Sequence, residues 1–189
     1  MKTQTVHKNS THILKEIPQF RNLHSKGFPQ LIHQGISVDE EFIYFASDLL
    51  GPSIEDLYSL CNEKFSLKTT LMLFYQLLER LEHMHKLQVI HRDLKPDNIM
   101  MGLGDASNTV HLIDFGLTRS IIDSETGKHI PLVTGKSLIG TCRYVSANSH
   151  NGLELSRRDD LITLGYVMIR LFRGSLPWQS VSIQDRELR

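Results

Sequence analysis
His91-Arg92-Asp93-Leu94-Lys95-Pro96-Asp97-Asn98, followed by Asp114-Phe115-Gly116, decides the reading of this chain. The first stretch gathers a carboxylate (Asp93), an ammonium two places on (Lys95) and an amide oxygen (Asn98). Asp114 adds a second carboxylate. Between them lie two apolar runs, Ile99–Met101 and Val110–Ile113, joined by Gly- and Asn-containing turn residues. That pattern predicts a hairpin that carries Asn98 and Asp114 into one cleft. The bland alternative makes Asp93 a turn residue and Asn98 a local cap. A lone Asp-Phe-Gly arises by chance, but an eight-residue loop at the right distance before it is specific.

These residues resemble the catalytic loop and metal-binding turn of protein kinases. Phosphoryl transfer asks for a carboxylate to orient the attacking hydroxyl, cations against the phosphate charge, and oxygen ligands for Mg2+. The resemblance implies Asp93 as the base, Lys95 as the contact to the transferred phosphate, and Asn98 and Asp114 as metal ligands. ATP and Mg2+ are the cofactors it implies.

Flanking residues narrow the likeness. Leu49-Leu50-Gly51-Pro52-Ser53-Ile54-Glu55-Asp56-Leu57 and Lys64-Phe65-Ser66-Leu67-Lys68-Thr69 resemble the hinge and following helices of casein kinase I. Gly140-Thr141-Cys142-Arg143-Tyr144-Val145-Ser146 is similar to that family's Gly-Thr-Ala-Arg-Tyr-Ala-Ser. Ser146-Ala147-Asn148-Ser149-His150 stands where most kinases carry Ala-Pro-Glu. Arg157-Arg158-Asp159-Asp160-Leu161 and Gly174-Ser175-Leu176-Pro177-Trp178-Gln179 also fit. The resemblance runs from about residue 11 to Gln179.

It implies a Ser/Thr kinase whose protein substrates carry acidic or already phosphorylated sites. Ser47 would line the adenine site, with the Asp48 and Leu50 backbone holding the adenine edge. Thr141 would lie near the catalytic loop, and Arg143 would help form an anion site. The alternative for Arg143 is an ion pair with Asp159 or Asp160. Asp160 is expected to brace the catalytic-loop backbone.

The expected fold is α+β and kinase-like, with two lobes. Residues 1–50 read as the small-lobe remnant and hinge, with two strands, at Leu31-Ile32 and Phe42–Phe45, plus a helix within residues 11–23 that Pro18 disturbs. The first ten residues read as frayed. Residues 51–189 read as a partial, mainly helical large lobe. Ser53-Ile54-Glu55-Asp56 and Ser156-Arg157-Arg158-Asp159 are capping-box helix starts. Residues 67–86 form the clearest helix, and Leu67, Leu71, Phe74, Leu78, Leu81 and Met84 predict its buried face. No Gly-rich loop or lysine-bearing strand is read ahead of Glu16, which aligns with the glutamate partner of such a lysine. A second class therefore stays open: a kinase-derived binding or scaffold module with impaired catalysis.

Composition sets limits. With 21 basic and 21 acidic residues in 189, bulk charge favours neither nucleic acid nor membrane surface. Cys61 and Cys142 are the only cysteines and do not suggest a disulfide framework. His83, His85 and His91 read as structural rather than metal-binding. A monomer in the cytoplasm or nucleus is the expectation.

Overall fold
The computed structural model describes residues 2–7, 17–19, 21–36 and 42–179. Three antiparallel strands form the front sheet: β1 (Lys2–His7), β2 (Leu31–Ile36) and β3 (Phe42–Ser47), in the order β1-β3-β2. The two expected strands are present. The expectation that the first ten residues are frayed is overturned, because six of them form β1, paired from Lys2↔Ser47 to His7↔Phe42. Backbone hydrogen bonding to β3 supplies what this short polar run lacks by itself. Residues 17–19 and 21–22 are helical. Glu16 and the turn at Asp39-Glu40 lie outside the described residues.

The large lobe begins with α1 (Ile54–Leu60), opened by the capping box in which the Ser53 hydroxyl accepts from the Asp56 N–H at 3.1 Å. The Asp56 carboxylate accepts the Ser53 N–H in return at 3.0 Å. Next comes α2 (Leu67–Lys86), with the bounds the sequence predicts. Its buried face is rotated from the expected one. Thr70, Leu73, Leu77, Arg80, Leu81 and Met84 face inward, while Leu67 and Leu71 are each 54 % exposed. The polar members of that face are tolerated because they are bonded: Thr70 Oγ1 donates to Ser66 O at 3.0 Å and Arg80 Nε to Val110 O at 3.3 Å.

After α2 the chain lays down β4 (Val89–Ile90), β5 (Ile99–Met101), β6 (Val110–Leu112) and β7 (Arg119–Ser120). The expected hairpin is β5 against β6, with Ile99 opposite Leu112 and Met101 opposite Val110. A short helix, α3 (Ala147–His150), precedes α4 (Arg157–Arg173). The second predicted capping box opens α4, and Gly174 closes it at φ 93°. On α4, Leu164, Val167 and Leu171 are buried against α2, but Leu161, Ile169 and Phe172 are exposed. Truncating Leu164 or Leu171 to Ala costs about 2–5 kcal/mol. Arg170 locks α4 to α1 through a two-pronged pair with Glu55 at 2.7 and 2.8 Å.

Candidate active site
The loop from His91 to Asn98 is held from below before it does anything else. Asp160, at the buried start of α4, accepts the N–H of His91 and of Arg92, each at 2.9 Å. His85 Nε2 also lies 2.9 Å from its Oδ2. Asp160 therefore braces the loop, as expected. Asp159 beside it ties down the far segment, accepting from Ser146 Oγ at 2.7 Å and Asn148 Nδ2 at 2.8 Å.

His91 is fully buried, and burial pushes its pKa down, so the ring is neutral. Its bonds fix the tautomer. Nδ1 accepts the Asp93 N–H at 3.2 Å, so the proton sits on Nε2, which donates to Ile113 O at 3.1 Å. One neutral ring thus spans the two halves of the motif. The Phe115 ring packs edge-on to His91 at 6.1 Å and against Phe28 at 6.2 Å.

Asp93 is the point of convergence. It is only 6 % exposed. Thr141 Oγ1 donates to its Oδ1 at 2.7 Å. Asn98 Nδ2 donates to its Oδ2 at 3.1 Å and to its carbonyl at 2.9 Å. Lys95 Nζ lies 3.0 Å from Oδ2. Burial opposes the charge on Asp93, but the Thr141 hydroxyl and the Lys95 ammonium outweigh it, and the carboxyl titrates below its usual range. Asp93 is therefore a carboxylate at neutral pH, poised to accept a proton.

Asn98 spends both of its bonds to Asp93 through Nδ2, which leaves Oδ1 as an oxygen donor. A short turn, Pro96–Asn98, delivers it to the head of β5. The Ile113 N–H donates to Asn98 O at 3.0 Å, so Asp114 follows directly from a residue bonded to Asn98. Asp114 is exposed, sits at φ 65° and accepts the Gly116 N–H at 3.2 Å. Two hard oxygen ligands of this kind suit Mg2+.

Gly140 shows why the segment bearing Thr141 can approach so closely. It stands at φ 94°, and a Cβ there would meet Arg92 O at 2.4 Å. Only glycine accepts both conditions at once.

At the hinge, Ser47 is buried. The Asp48 N–H donates to Gln30 O at 3.2 Å, and the Asp48 carboxylate accepts the Gln30 N–H at 2.8 Å. Among the described residues, nothing engages the Asp48 carbonyl or the Leu50 N–H. These are the two backbone groups that the resemblance assigns to adenine.

Arg143, the predicted anion-site residue, makes no bond to Asp93 among the described residues. It is exposed, its guanidinium stands 5.9 Å from the Tyr144 ring centre, and its carbonyl accepts Trp178 Nε1 at 2.9 Å. The alternative ion pair with Asp159 or Asp160 does not form. Asp159 faces Arg158, and Asp160 faces His85. Sequence reading also passed over Lys2, which the register sets opposite Ser47 at the hinge end of the sheet. The β-branched residues Thr3, Thr5 and Val6 were the available signal for that strand.

The arrangement offers a buried, ionised carboxylate bonded to an adjacent ammonium and to the Asn98 amide, with Asp114 following the strand that pairs back to Asn98. The family model described as the protein kinase domain matches residues 1–189, and the chain belongs to the protein kinase family, whose members generally use ATP and Mg2+.

Proposed function
We propose that this protein transfers the γ-phosphate of ATP to Ser or Thr hydroxyls of protein substrates, as a casein kinase I-like enzyme. The observation that carries this is the convergence of Thr141, Lys95 and Asn98 on the Asp93 carboxylate. Asp93 would accept the substrate hydroxyl proton as the oxygen attacks phosphorus. Lys95, now balanced by Asp93, would turn part of its charge to the transferred phosphoryl group. Asn98 Oδ1 and Asp114 would hold Mg2+, which when bound neutralises charge on the ATP phosphates. Ser47 and the free backbone groups of Asp48 and Leu50 would receive the adenine.

The partial likeness quoted from Leu49 to Gln179 supports the Ser/Thr and casein kinase I assignment. Exposed Arg143 suits acidic or phosphorylated residues near the acceptor hydroxyl. The same reading has the protein acting as a monomer in cytoplasm or nucleus. Lys2, a cation type at the hinge end of β1, is the residue we assign to the α- and β-phosphates.

The test is ATP- and Mg2+-dependent phosphorylation of casein, with peptides whose sole acceptor is Ser, Thr or Tyr, and Asp93→Asn as control. Labelled Ser or Thr above the control is expected. Labelled Tyr alone would reject the Ser/Thr assignment. Binding of ATP without transfer to any acceptor would favour the scaffold reading.

A further inference from the structure
Thr141 and Arg143 sit on one tight turn. The Tyr144 N–H donates to Thr141 O at 2.8 Å, and the Val145 N–H reaches the same carbonyl at 3.2 Å. One end of the turn is fixed, because the Thr141 hydroxyl donates to Asp93. The other end is fixed as well, because Tyr144 is buried at 3 % exposure. Between them the outer corner, Cys142-Arg143, is exposed.

That corner is tethered from outside the turn. Trp178 Nε1 donates to the Arg143 carbonyl at 2.9 Å. Trp178 is held in its own place. Its ring meets Tyr166 of α4 edge-on at 4.8 Å. A turn closes round it, with the Gln179 N–H donating to Leu176 O at 3.0 Å and the Leu176 N–H donating to Gln179 Oε1 at 3.1 Å. Leu176, at its base, is buried. So α4 braces the catalytic loop through Asp160 and reaches the Arg143 corner through Tyr166 and Trp178.

Among the described residues no carboxylate pairs with Arg143, so its charge is open to a ligand. An arginine loses rotamer freedom when it grips an anion, and a mobile backbone adds to that loss. Anchoring the Arg143 carbonyl removes the backbone share. We propose that Trp178 is a positioning residue that determines specificity: by holding the Arg143 carbonyl against α4, it aims the guanidinium at acidic or phosphorylated groups of the substrate. The consequence for substrate choice rests on the kinase reading; the coupling of Trp178 to an anion at Arg143 does not depend on phosphoryl transfer.

Trp178 is the only tryptophan of the chain, so its fluorescence reports the tether directly. The first arm titrates the protein with a peptide carrying one phosphoserine and with its alanine counterpart. The phosphopeptide should shift the emission of the wild type, and inorganic phosphate in excess should reverse the shift. R143Q should lose the response, and the alanine peptide should require a concentration about tenfold higher or more. A wild-type emission that ignores the phosphopeptide, or an equal response in R143Q, overturns the proposal.

The second arm measures kcat/KM for the phosphoserine peptide divided by that for the alanine peptide, each with one acceptor serine. W178F keeps a ring against Tyr166 but lacks the N–H. It should lower the ratio about three- to tenfold, the worth of one hydrogen bond, with the change in KM. R143Q should lower it about tenfold or more, and W178F added to R143Q should lower it no further. A Trp178 that only supports the fold would slow both peptides together. An unmoved ratio in W178F, or a further fall in the double variant, overturns the proposal. If W178F does not fold, the emission arm decides. A wild type that transfers no phosphate counts against the kinase reading, while the emission arm still judges Trp178.

Discussion
Asp93 and Asp114 lie on either side of the same hairpin and are held in opposite ways. Asp93 is buried, and three side chains bond its carboxylate, on a loop clamped from below by Asp160. Asp114 is exposed at a positive φ, and its carboxylate accepts one backbone N–H, that of Gly116. A proton acceptor needs a fixed position and must be ionised at the working pH, and the dense network gives both. A metal ligand needs lone pairs left open for the ion and its waters. The difference in packing is a difference in task.

The largest break in that comparison is Asp93→Asn. The amide keeps the shape but cannot take the proton, so the transfer rate should fall by roughly 10²- to 10⁴-fold. The fold should persist with a lowered melting temperature, since the amide loses the Lys95 ion pair and one accepted bond; a thermal melt beside the kinetic assay would check this.

Asp160→Ala attacks the clamp instead. It leaves the N–H groups of His91 and Arg92 unpaired in a buried setting and costs about 3 kcal/mol. For a chain of this size that is roughly 6–12 °C in the melting temperature. A melt unchanged in this variant would mean that the loop is self-supporting.

Gly140→Ala should cost about 1–3 kcal/mol, since it strains a left-handed residue and drives a methyl group at Arg92 O. Its activity should fall more than its stability, because Thr141 is next in the chain.

Thr141→Val is the mildest change, at about 1 kcal/mol for one hydrogen bond. Its value lies in the pH profile. The Asp93 pKa is depressed, so the stability tied to its charge is present above the unfolded value and is lost as pH falls through the folded one. Removing the Thr141 hydroxyl raises that folded pKa. The acid limb of the rate profile should therefore move to higher pH. A limb that stays put would show that Thr141 does not tune the base.

The catalytic hairpin and both capping boxes were legible in the sequence because local pairing and local capping decide them. The face of α2 was not. Its leucines suggested one stripe, but Thr70 and Arg80 are buried because Ser66 O and Val110 O accept their hydrogen bonds. Residue type alone does not reveal such partners. Strand β1 was missed for a related reason: its partner β3 is remote in sequence. Asp93, Lys95 and Asn98 were readable as a motif, whereas the tether from Trp178 to Arg143 was not, since the two meet only after folding.

The most direct test of the division between the two aspartates is the affinity for a non-hydrolysable ATP analogue, titrated with and without Mg2+, in Asp93→Asn and Asp114→Asn. Asp93→Asn should bind within about twofold of the wild type and keep the metal dependence. Asp114→Asn should lose about tenfold, near 1.4 kcal/mol, in the presence of Mg2+ only. Loss of the metal-dependent affinity in Asp93→Asn, with Asp114→Asn unaffected, would contradict the assignment of base and metal ligand.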